Sequence, residues 1–95
     1  MVRYAFSEVH KLAVIKYSGD LDYARMVRYM NAIWDDPECK SEYAAICDFS
    51  MAQLKMSPKD VEGVFCNIMA DERSLKGPCA LVITTPMETA LGLIF

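Results

Sequence analysis

Apolar residues recur with the spacing of β-strands in four places along the chain. Tyr4 and Phe6 alternate with polar or small residues, and this period of two predicts a half-buried edge strand. Residues 12–17 are apolar on both faces, which predicts an inner strand that is covered on both sides, and residues 44–49 repeat this pattern. Residues 79–84 form the last predicted strand.

A period of three to four residues predicts a helix between the second and third strands. Asp20 is its predicted N-cap, because a carboxylate at this position accepts hydrogen bonds from the first turn. The helix is predicted to end at Asp35 and Asp36, since Pro37 lacks a backbone donor and disfavours the helical conformation before it. The apolar positions of this helix are Tyr23, Met26, Val27, Met30, Ile33 and Trp34.

Two further helices are marked by their first residues. After a loop over residues 50–56, Ser57 is a predicted N-cap, Pro58 suits the first helical position, and Asp60 suits the third. This helix is predicted to end near Gly77 and Pro78, a glycine and proline of the kind that follow helices. Residues 85–88 repeat the capping pattern and predict a third helix up to the C-terminus.

These elements predict one α/β domain over residues 1–95, with the order β-β-α-β-α-β-α. The first two strands form a hairpin, and the helices connect parallel strands by right-handed crossovers in a mixed sheet. Helices are expected mainly on one face, which leaves the other face for the partner in a homodimer. The last predicted helix has no stop signal, so we expect either a naturally short form or a chain that lacks a C-terminal strand and helix.

Charge and hydropathy exclude several classes of protein. The net charge is −3 and the ten Lys and Arg residues are scattered, so the clustered positive face that binds nucleic acid is not expected. The apolar run over residues 79–83 is far shorter than the roughly 20 residues that cross a bilayer. Polar residues interrupt the N-terminus too often for a secretory signal. We expect a cytoplasmic protein that binds neither nucleic acid nor membrane.

The cysteines and the single histidine predict no metal or cofactor site. Cys39, Cys47, Cys66 and Cys79 are spaced without a Cys-x-x-Cys pair, so we expect reduced cysteines buried in the core. His10 is expected in a tight turn, where no nucleophile is close in sequence. Catalysis is therefore not expected.

The best functional candidates follow the third strand, since ligands and modifications in α/β sheets favour the carboxyl ends of strands and helix N-termini. Asp48, Ser50 and Ser57 lie in this stretch. Asp48 either lines a small ligand cleft or caps loop N–H groups as in an Asx-turn. The other candidate ligand or loop-capping residues at predicted strand ends are Gly19, Asp20, Thr84 and Thr85.

Several short motifs resemble those of a known family. Gly19-Asp20-Leu21-Asp22, between a strand and a helix, resembles the start of the first helix in STAS domains of bacterial anti-sigma-factor antagonists. Residues 43–48, Ser57 and residues 79–86 then follow in the same order and at similar spacing. The chain also resembles the small stand-alone STAS-like, or SpoIIAA-like, bacterial proteins.

This resemblance implies a regulatory domain that switches between protein partners. In classical members, a serine at the start of the second helix is phosphorylated by a partner kinase, and Ser57 occupies the matching position. Ser57 is then either a phosphorylation site or an ordinary N-cap, and Ser50 is a second candidate.

We therefore expect a non-enzymatic protein-interaction module. The alternative is a carrier of a small molecule or lipid, with a pocket rich in Met26, Met30, Phe65 and Met69. A third hypothesis is an enzyme in which Asp20, Asp22 and Asp48 converge, although no nucleophile and base pair is visible.

Overall fold

The computed structural model describes residues 1–82, and its elements form one four-stranded sheet with two helices. The predictions for Thr84, Thr85 and the third helix concern residues outside this range. In chain order the elements are β1 (Val2–Ser7), β2 (Leu12–Leu21), α1 (Tyr23–Asp35), β3 (Ala44–Leu54), α2 (Pro58–Ala70) and β4 (Cys79–Val82).

The strands lie in the sequential order β1-β2-β3-β4. β1 pairs antiparallel with β2, while β2 with β3 and β3 with β4 are parallel. The two helices are therefore the crossovers between parallel strands. Both pack on one face of the sheet, because Met30 of α1 and Val64 of α2 share a buried cluster with Ile15 and Tyr17 of β2. The mixed α/β fold, with its helices on one face, is confirmed for the described residues.

The described residues leave the opposite face of the sheet uncovered. Ala13 and Ile15 are buried beneath the helices, whereas Val14 between them is 43% exposed. Within residues 1–82, the strand over residues 12–17 is therefore covered on one side only, and the predicted cover of its other side is not formed by the described elements. The apolar side chains of β2 therefore have two environments. Those on the inner face pack against the helices, and those on the other face lie on a surface that no described element covers.

β3 is longer than its apolar pattern predicts, because a β-bulge continues it. Lys16 pairs with Asp48 but Ser18 pairs with Met51, so β3 has one more residue here than β2. The extra residue shifts the alternation of side chains, and Ala52 is buried beyond the bulge. The predicted loop over residues 50–56 is thus wrong for residues 50–54, which belong to the strand.

α1 starts two residues later than predicted. β2 continues through Gly19 and Asp20 to Leu21, and Asp22 is the N-cap, with its Oδ1 accepting a hydrogen bond from the Arg25 N–H at 2.8 Å. The prediction that Asp20 caps the helix is wrong because the parallel pairing of β2 with β3 keeps Asp20 in the strand. The predicted end of the helix at Asp35 is confirmed.

α2 begins as predicted but ends earlier. Ala70 is its last residue and Asp71 its C-cap, so Gly77 does not end the helix. Gly77 is needed instead for a close backbone contact. A Cβ at this position would lie 2.7 Å from the carbonyl oxygen of Tyr43 and 2.9 Å from the nitrogen of Ala44, closer than real Cβ contacts.

Candidate functional site

The corner between β3 and α2 carries the most prominent candidate, Ser57. The Lys55 N–H donates a hydrogen bond to the Leu21 carbonyl at 2.9 Å, which fastens the corner to the end of β2. The Ser57 Oγ accepts from the Asp60 N–H, and the Asp60 Oδ2 accepts from the Ser57 N–H, both at 3.1 Å. This reciprocal pair is a capping box. The predicted N-cap role of Ser57 is therefore confirmed.

The capping box places the Asp60 carboxylate and the first N–H groups of α2 next to any phosphate added to Ser57. Ser57 is exposed, so its hydroxyl is open to an enzyme. A phosphate would bring about −1.5 to −2 charges close to the Asp60 carboxylate, while the N–H groups at the start of α2 attract anions. Phosphorylation at Ser57 would thus exchange the capping box for a different arrangement of the corner.

Asp48 and Ser50 lie in the β-bulge of β3 and not in a loop after the strand. The Ser50 N–H donates to Asp48 Oδ1 at 2.9 Å, the residue i to i+2 contact of an Asx-turn. Hydrogen bonds from the Ser50 hydroxyl and N–H, and then the charge of Lys16 on the neighbouring strand, hold the pKa of Asp48 below its usual value. The prediction that Asp48 lies at a strand end is wrong, since the strand continues for six residues to Leu54.

The candidate strand-end residues do not all meet. Gly19 pairs with Ala52 and Asp20 with Gln53, whereas Asp48 pairs with Lys16. Asp20 therefore lies four residues beyond Lys16, the partner of Asp48, which is about 13 Å further along β2. Gly19 and Asp20 remain exposed on β2. A cleft that unites them with Asp48 is not formed by the described residues, and Thr84 and Thr85 lie outside them.

A groove between the two helices was not predicted from the sequence. It has a volume of about 230 Å³, below the roughly 300 Å³ at which ligand pockets usually begin. Its lining residues are Val27, Met30, Asn31, Trp34, Asn67, Ala70 and Asp71. The polar residues Asn31 and Asn67, which lie beside apolar residues of the two helices in the sequence, were the available signal.

Arg73 binds residues that line this groove. Its guanidinium donates to Asn31 Oδ1 at 2.8 Å, pairs with Asp35 of α1, binds both carboxylate oxygens of Asp71, and lies 5.8 Å from the centre of the Trp34 ring. These contacts tie the segment after α2 to the end of α1. They hold the pKa of Asp71 down at about 2, chiefly through the hydrogen bonds from Arg73.

The methionine-rich pocket of the carrier hypothesis is not assembled. Met26 and Met30 are buried in the core, Phe65 is half-buried, and Met69 is 76% exposed. Only Met30 of these four lines the groove.

The cysteines differ from their predicted placement. The structure has four free cysteines, of which Cys66 and Cys79 are exposed and Cys39 and Cys47 are half-buried. The expectation of buried core cysteines is wrong for the first two, because Cys66 lies on the outer face of α2 and Cys79 begins a strand at the edge of the described sheet.

The described part of the chain contains no group of three or more His, Cys, Asp and Glu side chains that could hold a metal ion. Neither described helix is long and apolar enough to cross a bilayer.

Comparison with known proteins gives matches to solved structures. No family model matches the chain, and no curated protein does. The anti-sigma factor antagonist SpoIIAA in its unphosphorylated form matches with a TM-score of 0.61 and 15% identity, over 100% of this chain and 84% of that one. A STAS domain of an antisigma-factor antagonist from Rhodobacter sphaeroides matches with a TM-score of 0.55 and 18% identity, over 86% and 84%. This chain has the STAS-like fold that its sequence motifs predicted.

Proposed function

We propose that this chain is a non-enzymatic regulatory module that acts by binding another protein. The outer face of α2 supports this proposal most directly. Lys59, Glu62, Cys66 and Met69 are spaced by three, four and three residues, so they share one helix face, and all four are exposed. Met69 is an apolar side chain that is 76% exposed, next to charged groups. The fold shared with two anti-sigma-factor antagonists gives the proposal its functional class.

The binding surface is tested with substitutions that leave the core intact. Met69→Asp and Glu62→Lys should each weaken binding of a partner captured by the unmodified protein at least tenfold, which is about 1.4 kcal/mol. Arg28→Glu, on the exposed side of α1, is the matched control and should bind normally. Isothermal titration with the purified partner measures the affinities. Equal affinity for all variants would exclude the α2 surface.

We further propose that Ser57 is the switch of this surface. Its hydroxyl is exposed at the start of α2, and a phosphate there would disturb the Asp60 contact and change the charge that a partner meets. Ser57→Asp should weaken the partner complex, while Ser57→Ala should leave it intact. If both variants bind like the unmodified protein, Ser57 is an N-cap only. Ser50→Asp tests the second candidate in the same assay.

We propose homodimerisation through the face of the sheet that the described residues leave uncovered. Ala5, Val14, Ile46 and Ala80 are successive register partners across all four strands, and they form an apolar row on this face. Val82 is 42% exposed on the same face, in the next row of the sheet, where its register partner is Asp48. Light scattering at micromolar concentration should give the mass of two chains, and Val14→Lys should give that of one. A single-chain mass for the unmodified protein would contradict the proposal.

A further inference from the structure

Two thiols face each other across strands β3 and β4. Cys79 of β4 pairs in register with Ala45 of β3. Cys47 lies two residues after Ala45 in β3, so the Cys47 and Cys79 side chains lie on the same face of the sheet. Their Sγ atoms are 3.9 Å apart, within hydrogen-bonding distance for sulfur. A disulfide needs an S–S distance of about 2 Å, so the sulfurs have about 2 Å to close, and because the two residues are diagonal neighbours the strand backbones must also shift towards each other.

The two thiols have different surroundings. Cys47 packs against the core cluster that contains Tyr17, whereas Cys79 is exposed. Either sulfur could donate in this contact, and because burial disfavours a charged thiolate we assign the proton to the more deeply buried Cys47. This hydrogen bond lowers the pKa of Cys79 to about 7, against a smaller opposing effect of burial. It raises the pKa of Cys47, which burial raises further.

This asymmetry separates two chemical roles. The hydrogen bond with Cys47 favours the thiolate of Cys79, which is the nucleophilic form of a cysteine side chain. Cys47 is the protonated neighbour in position to resolve an oxidised Cys79. An accessible thiol of low pKa beside a second cysteine is the arrangement of redox-active cysteines. Tyr17 is another titratable side chain linked to the pair, since burial, and then the charges of Cys47 and Cys79, raise its pKa.

We propose that Cys79 and Cys47 form an oxidisable dithiol site whose oxidant is a hydroperoxide. The Cys79 thiolate attacks the terminal peroxide oxygen, the O–O bond breaks, and the leaving alkoxide or hydroxide takes a proton to become alcohol or water. Cys79 is then a sulfenic acid. The Cys47 sulfur attacks the sulfenic sulfur, an S–S bond forms, the S–O bond breaks, and hydroxide leaves with the Cys47 proton as water. One peroxide is reduced and two thiols are oxidised to one disulfide.

The other two cysteines provide internal controls. Cys66 is exposed on α2 but is not the partner of another thiol among the described contacts, and Cys39 is half-buried near Asp36. Burial and then the Asp36 charge raise the pKa of Cys39, which disfavours its thiolate. Exposure alone therefore predicts oxidation at both Cys66 and Cys79, whereas the proposal predicts disulfide formation only between Cys79 and Cys47.

Intact-mass spectrometry after stoichiometric hydrogen peroxide tests the reaction. The unmodified protein and the Cys39→Ser/Cys66→Ser variant should each lose the mass of two hydrogen atoms, and peptide mapping should link Cys47 to Cys79. Cys47→Ser should instead accumulate a sulfenic acid at Cys79 that dimedone traps. Absence of the linked peptide in folded, peroxide-treated protein would overturn the proposal, as would a disulfide that forms equally well with Cys66.

The thiol hydrogen bond has its own readout. The rate of Cys79 alkylation against pH, followed by peptide mass spectrometry, should have its midpoint near pH 7. Cys47→Ala removes the donor and should lower the rate at neutral pH about tenfold, as the pKa returns towards about 8.5. Cys47→Ser keeps an O–H donor and should preserve most of the rate. Equal rates in Cys47→Ala and the unmodified protein would contradict the assigned roles. Circular dichroism confirms that each variant is folded.

Discussion

The two ends of α2 are stabilised in different ways. At the N-terminus, Ser57, Pro58 and Asp60 complete the cap within four consecutive residues. At the C-terminus, the segment from Asp71 to Pro78 contacts α1 and the chain before β3. The N-terminal cap is made by residues that are close in sequence, and it was predicted correctly. The C-terminal contacts join residues that are distant in sequence, and this end of the helix was predicted wrongly. The comparison shows that a helix boundary is readable from sequence when its cap is made by adjacent residues.

Ser74 and Lys76 satisfy the carbonyl groups that end α2. The Ser74 Oγ is fully buried, lies 2.6 Å from the Ile68 carbonyl oxygen and 2.8 Å from that of Asp71, and accepts from Lys76 Nζ at 2.7 Å. Lys76 Nζ also donates to the Asp71 carbonyl at 2.9 Å. Such side-chain bonds take the place of the glycine cap that the sequence predicted.

Gly77→Ala should have the largest effect on the stability of the non-local end. The added Cβ would meet the backbone of Tyr43 and Ala44, which cannot rotate away, so we expect a loss of about 3 kcal/mol in the free energy of unfolding. Urea denaturation measures it. Gly63→Ala is the control, since its Cβ meets only the Tyr23 side chain, at 3.1 Å, and gains about 1 kcal/mol of helix propensity. Equal losses in the two variants would refute the special role of Gly77.

Ser74→Ala should be the next most damaging change. It leaves buried carbonyl groups of α2 and the Lys76 ammonium with fewer partners, at a cost of about 2 kcal/mol. Hydrogen exchange should show faster opening of the last turn of α2 while its first turn stays protected. Uniform acceleration along the helix would mean that Ser74 does not act on that end specifically.

Ser57→Ala should cost about 1 kcal/mol, the usual value of an N-cap. Because Asp60 contributes the second half of the box, Ser57→Ala and Asp60→Ala should be less than additive in a double-mutant cycle. Thermal unfolding of the four proteins measures the coupling. Strictly additive losses would show that the two hydrogen bonds are independent.

Asp71 should make the non-local end sensitive to acid, with the smallest effect of the four. Its pKa is lowered to about 2 by Arg73, so its stabilising contribution is fully present above about pH 4, its unfolded value, and is lost as the pH falls towards 2. Denaturation midpoints of the protein and of Asp71→Asn should converge over this window. Parallel curves from pH 6 to pH 2 would show that the Arg73 contact adds no stability.

Much of the fold could be predicted from local patterns. The alternation in β1, the helical period of α1 and the Ser57 cap each depend on residues that are close in sequence. The length of β3 could not be predicted in this way. The bulge between Asp48 and Met51 depends on pairing with β2, and it breaks the two-residue alternation of side chains. The same pairing places Asp20 in a strand and not at a helix cap. Both errors arose where a neighbouring strand, and not the local sequence, fixes the backbone.

The candidate site divides in the same way. Ser57 was located correctly because N-cap chemistry is local, whereas the Arg73 contacts with Asn31 and Asp35 join residues about forty positions apart. The spacing of Cys47 and Cys79 in sequence gave no indication of a pair. Only the register of β4 on β3 brings their sulfur atoms to 3.9 Å.

By itself, the sequence determined the order of strands and helices, the fold class and the start of α2, because period, propensity and capping act over a few residues. Tertiary structure alone decided which strand positions extend past the apolar runs, which face of the sheet the two described helices cover, and which polar side chains end α2. Those features depend on pairing and packing between segments that are distant in sequence. The same long-range pairing turned two unremarkable cysteines into a single chemical site.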